Sequence, residues 1–298
     1  MRYFVAADED RRLDAETRGT LRGSFITLSD GVTHYELAGP ADGELAVLVG
    51  GLTIPLFYWD DLAARLHGRG LRTLAYSAYG RGYSDRIQGS YDEALFVRQL
   101  ADLSSALDLP PSRHLVGTSM GALVAMAYAG RCAESVATLA IVGPAGLDER
   151  PLPMQLLRSD LVGGFIARRF GRGLLEGHLG HNVRDPGRSA QLVAMVRDAY
   201  RFEGSLYAFF QTLQDFPLHR RQELFHRTGT LGIPTLLVWG DDDQVTPIAH
   251  LDTVTALLHP RRTHVITDCG HMAPFERPDE VADLLASFAV PHPDRKRP

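Results

Sequence analysis

Short apolar runs alternate along this chain with stretches whose apolar residues return at helical spacing. The runs Leu45–Val49, Leu71–Tyr76, His114–Val116, Ala137–Val142, Pro234–Trp239 and Thr263–Thr267 have the length and continuity of strands buried on both faces. Ahead of them, Phe25–Leu28 and Val32–Leu37 flank the turn cluster Ser29-Asp30-Gly31, which predicts a hairpin. Phe96, Leu100, Leu103 and Leu107 share one helical face. So do Val281, Leu284, Leu285 and Phe288, with Pro278 placed for the first turn of their helix. This alternation predicts an α/β fold, a mostly parallel central sheet with helices on both faces.

The rhythm breaks between Pro144 and Thr230. That stretch is helical in pattern, has no convincing strand, and is rich in arginine, glycine and aromatics, among them Phe165, Phe170, Phe202, Tyr207, Phe209, Phe210 and Phe216. An insertion this long between two strands predicts an inserted helical cap rather than a loop. The expected division is a core of residues 1–144 and 231–298 and a cap of residues 145–230. The tail Pro291–Pro298, with three prolines and three basic residues, is expected to lack fixed structure.

Composition narrows the class. With 45% hydrophobic and 22% charged residues, the 298-residue chain matches an ordinary globular protein with a substantial core. A formal net charge of −5 and the lack of a basic stripe argue against nucleic acid as a partner. No apolar stretch has the length of a membrane span, and Asp8-Glu9-Asp10-Arg11-Arg12 stands where a signal peptide needs its apolar core. A cytoplasmic location is therefore expected. Cys132 and Cys269 form no Cys-x-x-Cys pattern and read as reduced, largely buried thiols.

Against this background Gly117-Thr118-Ser119-Met120-Gly121 stands out. It lies between an apolar run and a small-residue helical run. A nucleophilic serine needs its oxygen exposed on a sharp turn, which a strand-to-helix turn supplies, with flanking glycines allowing strand and helix to approach closely. Such a hydroxyl also needs a base, and the base needs a third group to hold its tautomer. In an open α/β sheet these groups gather beyond the carboxyl ends of the strands. Two segments qualify: Gly240-Asp241-Asp242-Asp243, directly after one strand, and Asp268-Cys269-Gly270-His271, directly after the last. Of the 12 histidines, only His271 sits in a Gly-His context between the last strand and the last helix. His264 lies within a strand, His259 beside a turn, and His178, His181, His219 and His226 in the cap. The backbone N–H of Met120, at a helix start, is aimed to hold a developing oxyanion.

The order Ser…Asp…His, the serine pentapeptide and Gly80-Arg81-Gly82-Tyr83-Ser84 after the fourth strand resemble the serine branch of the α/β-hydrolase fold superfamily. The resemblance covers nearly the whole chain. It implies Ser119 as nucleophile, His271 as base and Asp243 as acid, the last selected by the pattern Gly-x-x-Asp-x-x-x-Pro from Gly240 to Pro247. It also implies the N–H of Leu52, in Gly50-Gly51-Leu52-Thr53, as second oxyanion donor. The chain departs from the family in having Gly50 where many relatives have His, and Ser77 where an Asp is usual. Both changes touch the anchoring of the loop after the third strand. Tyr58 and Trp59 read either as pocket entrance or as core, and Arg168, Arg169 and Arg172 as a solvated helix face.

The implied activity is hydrolysis of a carboxylic ester, or a related acyl bond, of a small and largely apolar substrate, without metal or organic cofactor. The expected partner is thus a small-molecule acyl substrate. The same three residues serve C–C bond hydrolases, thioesterases, lactonases and acyltransferases, and a ligand receptor on this fold remains the alternative from another class. Haloalkane dehalogenases and epoxide hydrolases carry an aspartate where this chain has Ser119.

Overall fold

The computed structural model describes residues 1–149, 159–179 and 183–289. His181 and the 291–298 tail lie outside these residues. Eight strands form one sheet: β1 (Ser24–Thr27), β2 (Val32–Ala38), β3 (Leu45–Val49), β4 (Arg72–Tyr76), β5 (Arg113–Thr118), β6 (Val136–Val142), β7 (Thr235–Gly240) and β8 (Arg262–Ile266). Their order across the sheet is β1-β2-β4-β3-β5-β6-β7-β8. The pairs β1–β2 and β2–β4 are antiparallel, and every later pair is parallel. Each predicted strand is present to within two residues.

The sheet's centre is buried end to end: β3 is an unbroken apolar run, β7 is apolar from Leu236 to Trp239, and β5 buries Arg113, His114 and Thr118 beside Leu115 and Val116. Edge strand β8 has an exposed outer side. Helix Glu93–Ala106 begins at Asp92, whose carboxylate accepts the Leu95 N–H (2.9 Å), and ends one residue before Leu107. Helix Pro278–Ala289 opens on Pro278, the proline set in its first turn. Between β6 and β7 the described residues form four helices, Asp160–Leu179, Pro186–Ala199, Ser205–Asp215 and Gln222–Gly229, and no strand. This is an α/β-hydrolase fold with an inserted helical cap.

The strand order reverses between β3 and β5. Chain leaving β3 turns one way to β4, while β5 lies on β3's other side, so the loops after β3 and β5 diverge and leave a crevice between them. Val49 and Gly117 are register partners, so Gly50–Leu52 and Thr118–Met120 emerge side by side. The fold therefore brings together two segments that are distant in sequence.

One arrangement is absent from the local sequence pattern. The N-terminal segment lies across the cap. Glu9, buried, accepts the N–H groups of Gly204 (2.8 Å) and Leu206 (2.6 Å), supplying acceptors that the buried first turn of helix Ser205–Asp215 lacks. Arg168 sits 4.7 Å over the Phe4 ring and Arg172 pairs with Asp8. Arg172 is thus partly covered by the N-terminal segment, while Arg168 touches it and stays exposed, as expected of a solvated face. Arg169 lies over Phe170 on its own helix.

Candidate active site

Ser119 occupies the turn between β5 and the wholly buried helix Met120–Ala129, with φ 54° and ψ −121°. That backbone geometry is costly for a residue with a side chain, and the surroundings enforce it. At Gly121 a side-chain carbon would stand 2.2 Å from the Val49 carbonyl oxygen, so only glycine lets this helix meet β3 so closely. Ser119 remains partly exposed while Thr118 and Met120 beside it are buried. Met120 is the first helical residue, so its N–H lacks an intrahelical acceptor.

Asp243 follows β7 and is nearly fully buried. Its Oδ1 accepts the N–H groups of Val245 (2.9 Å) and Thr246 (2.8 Å), and its Oδ2 accepts the Thr246 hydroxyl (2.8 Å). The same Oδ2 lies 2.8 Å from His271 Nδ1. A carboxylate only accepts here, so Nδ1 carries the hydrogen and Nε2 is left as the basic nitrogen. Asp241 points elsewhere, accepting the Cys269 N–H (3.2 Å), and Asp242 accepts from Gln244 (2.8 Å). Of the three aspartates, the structure brings Asp243 alone to His271.

The end of β6 lies between the serine turn and the Asp–His pair. The Ser119 N–H donates to Val142 O (3.1 Å), and at the next residue, Gly143, a side-chain carbon would stand 3.1 Å from Asp243 Oδ2 and 3.5 Å from His271 Nδ1. The loop carrying His271 is braced by Glu276, whose carboxylate accepts the N–H groups of Gly270 (3.3 Å) and, from the cap, Arg184 (3.0 Å). Cys269 is a buried free thiol, pushed up to about 12 mainly by burial, and so unreactive at neutral pH.

Ser119, Leu52 and Thr246 border a cavity of about 1210 Å³. Its cap side is formed by Ile166, Phe170, Leu174, Phe209, Phe210 and Leu213, and His178, His219 and His250 add polar groups. Of the aromatics in the insertion, Phe170, Phe209 and Phe210 thus line the cavity. Phe202 and Phe216 are core residues, and Phe165 is exposed. Tyr58 and Trp59 are core as well, Tyr58 stacking on Phe275 at 5.7 Å.

Sequence reasoning missed the anchors. Thr246 holds Asp243 through both its N–H and its hydroxyl, and the Asp-x-x-Thr spacing was a readable turn signal. Ser77, which stands where relatives have Asp, accepts the Leu56 N–H (3.1 Å) and contacts His34 Nδ1 (3.2 Å). The loop after β3 is therefore anchored despite the substitution.

The family model for the alpha/beta hydrolase family matches residues 46–284, and the chain belongs to that family. A 2-hydroxy-6-oxo-6-phenylhexa-2,4-dienoate hydrolase from Comamonas testosteroni is 26% identical over 273 residues, covering 88% of this chain and 92% of its own. Monoacylglycerol lipase ABHD6 from Rattus norvegicus is 26% identical over 247 residues, covering 72% of this chain and 68% of its own. Among solved structures, a thermophilic esterase from Thermogutta terrifontis shares the fold with a TM-score of 0.76 at 21% identity, over 90% of this chain and 98% of that one. The chain is accordingly a hydrolase of the alpha/beta family. No described helix is long and apolar enough to cross a membrane.

Proposed function

We propose that this protein hydrolyses carboxylic esters of small, largely apolar acyl substrates through an acyl-enzyme on Ser119. The reading is supported by Ser119, on a strained turn, bordering a large apolar cavity, and by the Asp243–His271 pair, which flanks Gly143, the residue after the Val142 carbonyl that accepts the Ser119 N–H. In the proposed reaction Ser119 Oγ attacks the ester carbonyl while His271 Nε2 accepts its proton. Asp243 holds the other imidazole nitrogen and stabilises the charged ring. The N–H groups of Met120 and Leu52 hold the oxyanion, and the protonated His271 gives its proton to the departing alcohol. Water, activated by the same imidazole, then releases the acid. Residues 145–230 act as the cap over this site, on a core formed by residues 1–144 and 231–298.

Ester hydrolysis and cleavage of a dienoate can use the same three residues, so turnover separates them. A panel of p-nitrophenyl esters of graded chain length, with thioesters, lactones and a vinylogous diketone acid, tests the reading on wild type and Ser119→Ala. Multiple turnovers on esters, lost in Ser119→Ala, are expected. Preferred turnover of the diketone would move the assignment to C–C hydrolysis, and a single turnover or none to a ligand receptor.

A further inference from the structure

Arg81, in the turn after β4, has no place in the mechanism above, yet its side chain is fully buried. Its guanidinium joins its own turn to two distant segments. Nε donates to the Leu52 carbonyl (2.7 Å), Nη1 to the Tyr79 carbonyl (2.9 Å), and Nη2 to the Thr212 hydroxyl (2.9 Å) on helix Ser205–Asp215. The hydroxyl hydrogen of Thr212 goes to Ala208 O (2.7 Å), which leaves its oxygen to accept. Phe96 and Tyr91 stand 5.5 and 5.9 Å from the guanidinium carbon.

All three acceptors are neutral. Burying a cation without a carboxylate partner is costly, and burial pushes this guanidinium's pKa below its ordinary value. A neutral amide could serve a mere turn, as Gln99 does nearby by accepting the Tyr79 N–H (2.9 Å) and donating to Thr33 (3.0 Å). What an amide lacks is the reach and the rigid fork to join three segments at once. One of those segments bears Leu52, and another is the cap helix whose Phe209 and Phe210 face the cavity.

We infer that Arg81 is a positioning residue: it fixes Leu52 so that its N–H meets the oxyanion, and it ties that loop to the cap through Thr212. The inference rests on the ester hydrolysis proposed above. Ser77 pins the same loop farther on, at Leu56, so Arg81 sets the end nearer Ser119. Contact of an acyl chain with the cap helix is thereby coupled to the geometry of the oxyanion donor.

The test compares Arg81→Met, Arg81→Lys and Thr212→Val with wild type in three readouts: kcat and KM on a medium-chain ester, affinity for an alkyl trifluoromethyl ketone, and thermal midpoint. The ketone adds to Ser119 and places an oxyanion in the donor site. Losing the alignment of one donor corresponds to a fall in kcat on the order of 10²-fold. Arg81→Met is expected to show that fall, with a parallel loss of ketone affinity and KM within about threefold of wild type. Arg81→Lys should recover part of both. Thr212→Val, which cuts only the cap link, should lower kcat by less. A change in KM or thermal midpoint alone, with kcat and ketone affinity kept, would overturn the inference. If Arg81→Met does not fold, Arg81→Lys decides by the same criterion. A dead Ser119→Ala beside wild-type behaviour at position 81 would reject this inference alone, whereas an active Ser119→Ala would reject the proposed reaction.

Discussion

Single side chains set the chemistry of the site through what holds them. Asp243 is oriented by two backbone N–H groups and the Thr246 hydroxyl before it meets His271. Asp243→Asn should therefore lower kcat on the order of 10⁴-fold by presenting a donor where the imidazole needs an acceptor. Thr246→Val should cost far less, and Asp241→Asn less still. Steady-state kinetics on one ester ranks all three, and a severe Asp241→Asn would displace Asp243 from the proposed role. His34 makes a separate prediction about stability. Its ring is buried, with Nε2 2.9 Å from the Arg22 carbonyl, and burial lowers its pKa to about 4. Between that value and the ordinary one near 6.5, the unfolded chain binds a proton that the folded chain refuses. Stability from this residue is complete above about pH 6.5 and is lost as pH falls toward 4, on the order of 3 kcal/mol in total. Denaturant midpoints across this range should fall more steeply for wild type than for His34→Gln. Equal slopes would show that other groups govern the acid limb.

At the level of elements, the helix Ser205–Asp215 does two jobs. It is buried along most of its length, and it turns Phe209 and Phe210 to the cavity. Each substrate methylene buried against that wall contributes up to ~0.8 kcal/mol until the space is filled. Under the proposed function, kcat/KM should rise with acyl chain length and then stop at a definite length. Phe209→Ala should move the stopping point to longer chains. It should also cost on the order of 3 kcal/mol of stability, since Phe209 packs edge-on against Phe210 at 5.1 Å. An unchanged length profile in a destabilised Phe209→Ala would mean that the ring only holds the cap together.

Across the whole molecule, the N-terminal segment joins the cap to itself through contacts as far as 213 residues apart in sequence. Beside Glu9, Arg11 pairs with Asp198 (3.1 Å) and Asp10 with Arg201 (2.5 Å). The exposed ion pairs contribute little singly, so the buried carboxylate with its three backbone donors should dominate. Glu9→Ala should lose ~1–3 kcal/mol and free the start of helix Ser205–Asp215. Hydrogen exchange should quicken in that helix while β3, β5 and β6 keep their protection. Uniform acceleration through the sheet would show instead that Glu9 supports the entire fold.

Much was legible without coordinates because strands buried on both faces are mostly apolar, and chain order then sets out an alternating α/β fold. The same logic marked the segments after β5, β7 and β8 as the places for Ser119, Asp243 and His271. Local pattern could not distinguish the partners that reach these segments from afar. Nothing near Arg81 announces Leu52 or Thr212 as its acceptors, and nothing near Glu9 announces Gly204 or Leu206 as its donors. Arg172 departs from the expected solvated face for that reason, because a helix face looks free until the segment that covers it is known. Which of Phe170, Phe209 and Phe210 would face a cavity was likewise undecided, since an aromatic in a packed cap and one in a pocket wall obey the same periodicity. Tertiary structure settled these points because burial of a charged or aromatic side chain depends on which distant segment excludes its water.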